Sequence, residues 1–219
     1  MVAAHSAPMT DLQRKITFER LPHGRHGLPR DVVVRSQRER MLRAMADAVA
    51  ERGYAATSVA DVLKRAGVSR RTFYEQFANK RDCFLAAYDE AVSLVMARVR
   101  TAYAGPGAWE ARLAAGFTAF LEYLATEPSF ARMCVVEVLA AGQDALERRD
   151  RALADFAKLI AQSHRDAPET DTVPLVYFEV MVGGIYHVVH GRIVRGDVDA
   201  LSELLPDLLY CAMAPVTTV

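Results

Sequence analysis

The chain has 219 residues, 52% of them apolar and 25% charged, which supports one large or two small domains and excludes wholesale disorder. Its zero net charge hides a split: residues 1–81 hold 16 Lys and Arg against 8 Asp and Glu, and the remainder 11 against 19. A basic module that can meet nucleic acid or an anionic surface is thus joined to an acidic one.

Aromatics make up only 8% of the chain, alanine is abundant and β-branched runs are short, so an all-α fold is expected. Residues 1–34 contain LPHGRHGLPRD, rich in Pro, Gly, His and Arg, and no helical period survives there. An extended basic arm is expected. Arg20, Arg25, Arg30 and Arg35 precede or open the first helix, and such an arm either reaches an adjacent minor groove or carries incidental charge in a leader. No apolar stretch in this region reads as a signal peptide.

From about Ser36 the spacing of Leu42, Met45, Ala46 and Val49 predicts a helix that stops at Gly53. Ser58 then starts a second helix. Asp61 stands at its N3 position as the acid of a capping box, and Gly67 ends it. Ser69 restarts the chain as a third, short helix. Val68 and Phe73 can staple its start, and Phe73 and Phe77 share one face. Two short helices joined this tightly through glycine make a helix-turn-helix. Asn79, with Asp82 three residues on, opens a fourth helix over about 80–103, and AGPG at 104–107 breaks it. Further helices are expected at about 108–126, 128–141, 144–165, 173–195 and 198–213.

With Phe73 and Phe77 inward, the third helix presents Arg70, Arg71 and Tyr74, with Thr72 and Gln76 at its edges. The second helix of a helix-turn-helix enters the major groove by its N-terminal end. Arginine there can pair with guanine O6 and N7, while Thr, Tyr and Gln can bond phosphates or bases. Lys80 and Arg81 sit in the first turn of the fourth helix, where positive charge opposes the helix dipole. A bound phosphate would remove that penalty.

The stretch SVADVLKRAGVSRRTFYEQFANKRDCF resembles the signature of TetR-type transcriptional regulators. The resemblance covers about residues 35–95. It implies an all-helical homodimer with a DNA-binding domain at 35–95, its helix-turn-helix at 58–77, and an effector-binding and dimerisation domain at 96–219. It places Ser58 at the phosphate-facing start of the second helix. It makes Arg70, Arg71 and Thr72 the base readers, Tyr74, Gln76 and Lys80 the backbone contacts, and counts Ser69 among the DNA-binding residues. Position 76 is often His or Tyr in the family, so Gln76 departs from its pattern.

The second half carries no acid–base or nucleophile set, so no enzyme and no cofactor are expected. Ser163-His164 has no partner acid at a telling spacing. His187 and His190 share a face, but nothing nearby on that helix completes a metal site. Cys83, Cys134 and Cys211 are scattered, which excludes a disulfide framework and fits a reducing cytoplasm. The apolar run Val173 to Val189 holds Glu179 and His187 and is short for a membrane span. A helix apolar nearly all round must be covered nearly all round. Gly183 and Gly184 would let a second helix come close, so this helix and the last, with Gly183, Gly184 and His187, are assigned to the dimer interface. A ligand pocket is expected among Phe117, Phe120, Tyr123, Met133, Phe156, Phe178 and Met181, with Glu179 and His187 as polar contacts. Its aromatic and Met lining suits an apolar or amphipathic effector.

The expectation is a cytoplasmic homodimeric repressor, released from a pseudo-palindromic double-stranded DNA operator by a small ligand. The rivals are an activator or architectural DNA binder without a ligand, a helical carrier or enzyme, and a membrane-surface protein using the basic arm.

Overall fold

The computed structural model describes residues 29–165 and 173–214. Their regular structure is helical throughout: α1 Arg30–Arg52, α2 Val59–Ala66, α3 Arg70–Tyr74, α4 Lys80–Tyr103, α5 Trp109–Thr126, α6 Pro128–Val135, α7 Gln143–His164, α8 Leu175–Arg195 and α9 Leu205–Met213. Two 3-10 segments, Glu137–Ala140 and Asp199–Leu204, precede α7 and α9. No helix among the described residues is long and apolar enough to cross a membrane.

The sequence differs from this layout in three places. The first helix starts at Arg30 rather than near Ser36, so residues 30–34 are not arm. Asp31 lies in its first turn, where a carboxylate suits the helix dipole. Gln76 Nε2 donates to Val34 O at 3.2 Å, and the Arg38 guanidinium lies 4.7 Å from the Phe77 ring centre. The early turns of α1 therefore dock on the end of the third helix, a support that periodicity along α1 does not show. Arg20 and Arg25 lie outside the described residues. The helix expected at 128–141 divides into α6 and a 3-10 turn. The helix expected at 198–213 begins as 3-10 and becomes α only at Leu205. Pro206 lies at that junction, where its missing N–H costs nothing in a first turn.

Two apolar cores organise the molecule. The first gathers Met41, Met45, Val62, Phe73, Phe77 and Phe84 from α1 to α4. The second gathers Val95 and Val99 of α4 with α5, α7, α8 and α9. α4 runs through both. α6 does so on a smaller scale: Phe130 and Met133 belong to the first core and Ala131 and Val135 to the second. Val138, Ala141 and Ala145 extend the first core further. Gly116 lets α5 lie close along α4, since a Cβ there would stand 3.6 Å from Val99 Cγ1.

His164 ends α7 buried between two rings, 5.4 Å from Trp109 and 4.9 Å from Phe178 between ring centres. Burial holds its pKa below the ordinary 6.5, and the nearby backbone of Ala212 in α9 only partly offsets this. As pH falls, the unfolded chain therefore takes up this proton before the folded one does. The stabilisation from a buried neutral imidazole is complete above about pH 6.5 and declines below it. Urea midpoints measured between about pH 7.5 and 5.5 should fall towards acid. His164→Phe should flatten that fall.

Candidate nucleic-acid interface and apolar cavity

The helix-turn-helix is built by local hydrogen bonding. Ser58 Oγ accepts from Asp61 N–H at 3.3 Å, and Ser58 N–H donates to Asp61 Oδ2 at 2.9 Å, completing the capping box. The Ser58 hydroxyl also donates to that carboxylate at 2.6 Å, and these bonds hold Asp61 below its usual pKa. Gly67 takes the left-handed conformation at φ 63°, which an L side chain resists, and its N–H bonds Leu63 O at 3.0 Å. Arg40 Nη1 donates to Ala66 O at 2.9 Å and covers the same helix end. Ser69 Oγ then accepts from Thr72 N–H at 3.0 Å and starts α3.

α3 is seated by Phe73 and Phe77, both buried and 5.5 Å apart between ring centres. Its outer face carries Arg70, Arg71 and Tyr74, all exposed. Arg71 has 89% of its side chain accessible and pairs with Glu75 at 2.9 Å across one turn. Among the described residues no ion pair or hydrogen bond holds the Arg70 guanidinium. The other expected DNA contacts have partners inside the fold: Ser58 in its cap, Ser69 and Thr72 with each other at 2.9 Å, and Gln76 on Val34.

Lys80 has several partners inside the fold. Its ammonium donates to Tyr54 O at 2.8 Å and Thr57 O at 2.9 Å, and lies 4.2 Å from the Tyr54 ring centre. Partial burial lowers its pKa. Arg81 pairs with Asp144 at 3.3 Å. The two cations at the start of α4 therefore find their acceptors within the protein, and their placement is not by itself a sign of phosphate. From the other side, Tyr54 N–H donates to Glu137 Oε2 at 2.8 Å. The loop before the helix-turn-helix is thus gripped by α4 through Lys80 and by the 3-10 turn after α6 through Glu137. Sequence reasoning missed Glu137; a lone acid inside the apolar run VVEVLAA was the available signal.

A cavity of about 120 Å³ lies among α4 to α8, with walls almost entirely of carbon. Phe117, Phe120, Tyr123 and Phe156 line it, as do Tyr88, Phe130, Cys134, Arg149, Ile185 and Tyr186, which were not foreseen. Met133, Phe178 and Met181 do not line it. Met133 is buried in the first core, Phe178 stacks on His164, and Met181 packs in the second core on another face of α8. Burial pushes the Cys134 thiol and the Tyr88 hydroxyl well above their usual pKa. Glu179 and His187 point outward instead, alongside Val176, Val180, Gly183 and Gly184. Val180 is 70% exposed, and no described atom lies within 4 Å of a Cβ placed on either glycine. No group of three or more metal-ligating side chains occurs among the described residues.

Residues 42–87 match the family described as "Bacterial regulatory proteins, tetR family". The HTH-type transcriptional activator FasR of Mycolicibacterium smegmatis is 32% identical over 97 residues, which is 44% of this chain and 42% of that protein. The chain thus matches less than half the length of that curated relative. Among solved structures, the fatty acid degradation regulator FadR of Bacillus halodurans superposes with a TM-score of 0.73 at 18% identity, covering 80% of this chain and 94% of that one. The transcriptional regulator FadR of Bacillus subtilis, in complex with stearoyl-CoA, gives 0.71 at 17% identity, covering 80% and 97%.

Two variants separate seating from reading. Lys80→Met keeps the stem but loses both carbonyl bonds, and should lower stability without DNA by about 1–3 kcal/mol in urea unfolding. Glu75→Gln frees Arg71 and removes a negative charge from the exposed face. It should tighten binding to duplex DNA about two- to fivefold in a low-salt titration, with little effect on stability.

Proposed function

We propose that this chain, which belongs to the tetR family of bacterial regulatory proteins, is a homodimeric DNA-binding regulator whose operator affinity is set by a long-chain acyl ligand in the apolar cavity. Arg70, Arg71, Thr72 and Tyr74 form the face that meets DNA. Lys80, Ser58 and Gln76 hold that face in place. The outward stripe of α8, from Val176 to His187, meets the same stripe of a second copy. Gly183 and Gly184 leave room there for the partner backbone.

The observation that carries this reading is the cavity wall. It offers an acyl chain a nearly all-carbon surface, and Phe130 on that wall is also part of the first core. A volume of about 120 Å³ is below the roughly 300–1,000 Å³ usual for small-molecule sites. A long ligand must therefore displace wall helices, and α6 cannot move without disturbing the core that seats α3. Such a ligand binds one arrangement better than the other, which is what regulation requires. Two of the similar structures are regulators named for fatty acids or bound to stearoyl-CoA, which supports this ligand class. Our first reading is a repressor released by its ligand. The relative named as an activator favours a second, in which the ligand strengthens operator binding.

The test selects bound duplexes from a random library and then titrates stearoyl-CoA against the selected site. The expected site is two-fold symmetric, with half-sites about 34–36 Å apart. Stearoyl-CoA should change operator affinity at least about tenfold, and acetyl-CoA should not. A loss of affinity means a repressor; a gain means an activator. An asymmetric site, or no response to the acyl ligand, would defeat the proposal. Val180→Arg should leave the protein monomeric by light scattering.

A further inference from the structure

We infer that the Tyr123 hydroxyl donates the hydrogen bond that holds a neutral acyl carbonyl oxygen of the ligand, and so sets which way the ligand lies in the cavity. This rests on the acyl reading above and assigns the atom that recognises the acyl group.

The cavity has few polar atoms, and most are committed. Tyr186 Oη donates to Val135 O at 2.6 Å, Ser163 Oγ to Ile160 O at 2.7 Å and Tyr103 Oη to Ser163 O at 3.4 Å. Two lining phenols, Tyr88 and Tyr123, have no hydrogen bond among the described residues, and of these Tyr123 is the one whose oxygen is fully buried. It is only 3% exposed, its hydroxyl oxygen is buried, and no described group accepts a bond from it. Leaving a buried hydroxyl unpaired costs about 1–3 kcal/mol, and most buried polar side-chain atoms do have a partner. Phenylalanine would pack here without that cost. A bridging water would need two to four polar partners, and walls of carbon do not supply them. An oxygen carried in by a ligand does.

The charge balance selects the kind of oxygen. Among the residues lining the cavity, Arg149 carries the formal charge. Its Nε and Nη2 already donate to Asp150 Oδ1 at 3.0 and 2.6 Å. A free carboxylate would enter without an uncommitted cation, and a buried charge without a partner is costly. A thioester or ester carbonyl needs only the single donor that Tyr123 offers. Burial raises the phenol's pKa, so it stays protonated as a donor throughout the neutral range.

The position of Tyr123 sets the direction. It stands near the end of α5 where the chain turns into α6, and Glu127 at that turn pairs with Arg43 of α1 at 2.5 Å. Ten residues back along α5, Leu113 lies about 15 Å away at the helical rise, on the apolar wall with Phe117, Val99 and Ile160. The carbonyl therefore sits towards the helix-turn-helix and the hydrocarbon tail points away from it.

The experiment compares the wild type with Tyr123→Phe, which deletes only the oxygen. The probes are stearoyl-CoA, its thioether analogue S-octadecyl-CoA, which lacks the carbonyl, and stearate. Wild type should bind stearoyl-CoA about tenfold more tightly than the thioether, one hydrogen bond to a neutral acceptor being worth about that factor. Tyr123→Phe should bind the two alike, at the wild-type affinity for the thioether. Stearate should bind more weakly than stearoyl-CoA to the wild type. Without ligand, the variant should melt no lower than wild type, because it loses an unpaired oxygen. Equal losses for thioester and thioether, no loss for either, tight stearate binding, or a lowered melting temperature would each overturn the inference. If stearoyl-CoA fails to bind the wild type at all, the acyl reading itself has failed.

Discussion

Phe130 has two neighbourhoods. Its ring is part of the core that holds α1 to α4 together, it lies under the Arg43 guanidinium at 4.8 Å, and it also lines the cavity. Helix α6 is only eight residues long, yet it divides its buried side chains between two cores. Close-packed interiors do not absorb displacement by compressing. Whatever enters the cavity and moves α6 is therefore felt in the core that seats the third helix. The cavity and the core under α3 thus share packing through α6.

A second connection runs beside the first and is polar. Glu137 follows α6 and accepts the N–H of Tyr54; Lys80 opens α4 and covers the carbonyls of Tyr54 and Thr57. Thr57 itself is buried and donates back to Gly53 O at 2.8 Å. This short loop sets where α2 begins, and α2 sets α3 through the left-handed turn at Gly67. Backbone carbonyls in so enclosed a place need donors, and a partly buried ammonium is a strong one. The residue expected at a phosphate also donates to two backbone carbonyls of the loop that precedes α2.

The caps were legible in the sequence because each is a local event. Ser58 with Asp61, Gly67, Ser69 and Asn79 act within three or four residues, so the chain order displays them directly. The burial of Phe73 and Phe77 and the outward position of Arg70, Arg71 and Tyr74 followed from helical periodicity. The start of α1 was not legible, because its first turns are supported by Gln76 and Phe77, some 40 residues away in the chain. Nor was the 3-10 turn at 137–140, whose Glu137 bonds a backbone N–H 83 residues earlier. Periodicity marks which residues are apolar but not which of several apolar neighbours they face. Phe120 and Met133 therefore looked equivalent, although only Phe120 reaches the cavity.

By itself the sequence determined the all-helical class, the helix-turn-helix, its turn and caps, and the side chains on its outer face. These depend on hydrogen bonds and side-chain spacing within a turn or two of helix. The tertiary structure alone decided that α6 serves two cores, that Lys80 points inward, and that a cavity remains among α4 to α8 with the buried, unpaired Tyr123 hydroxyl in its wall. Those features arise where helices distant in sequence meet, and the geometry of such meetings is set by the packing of whole side chains, which no local pattern encodes.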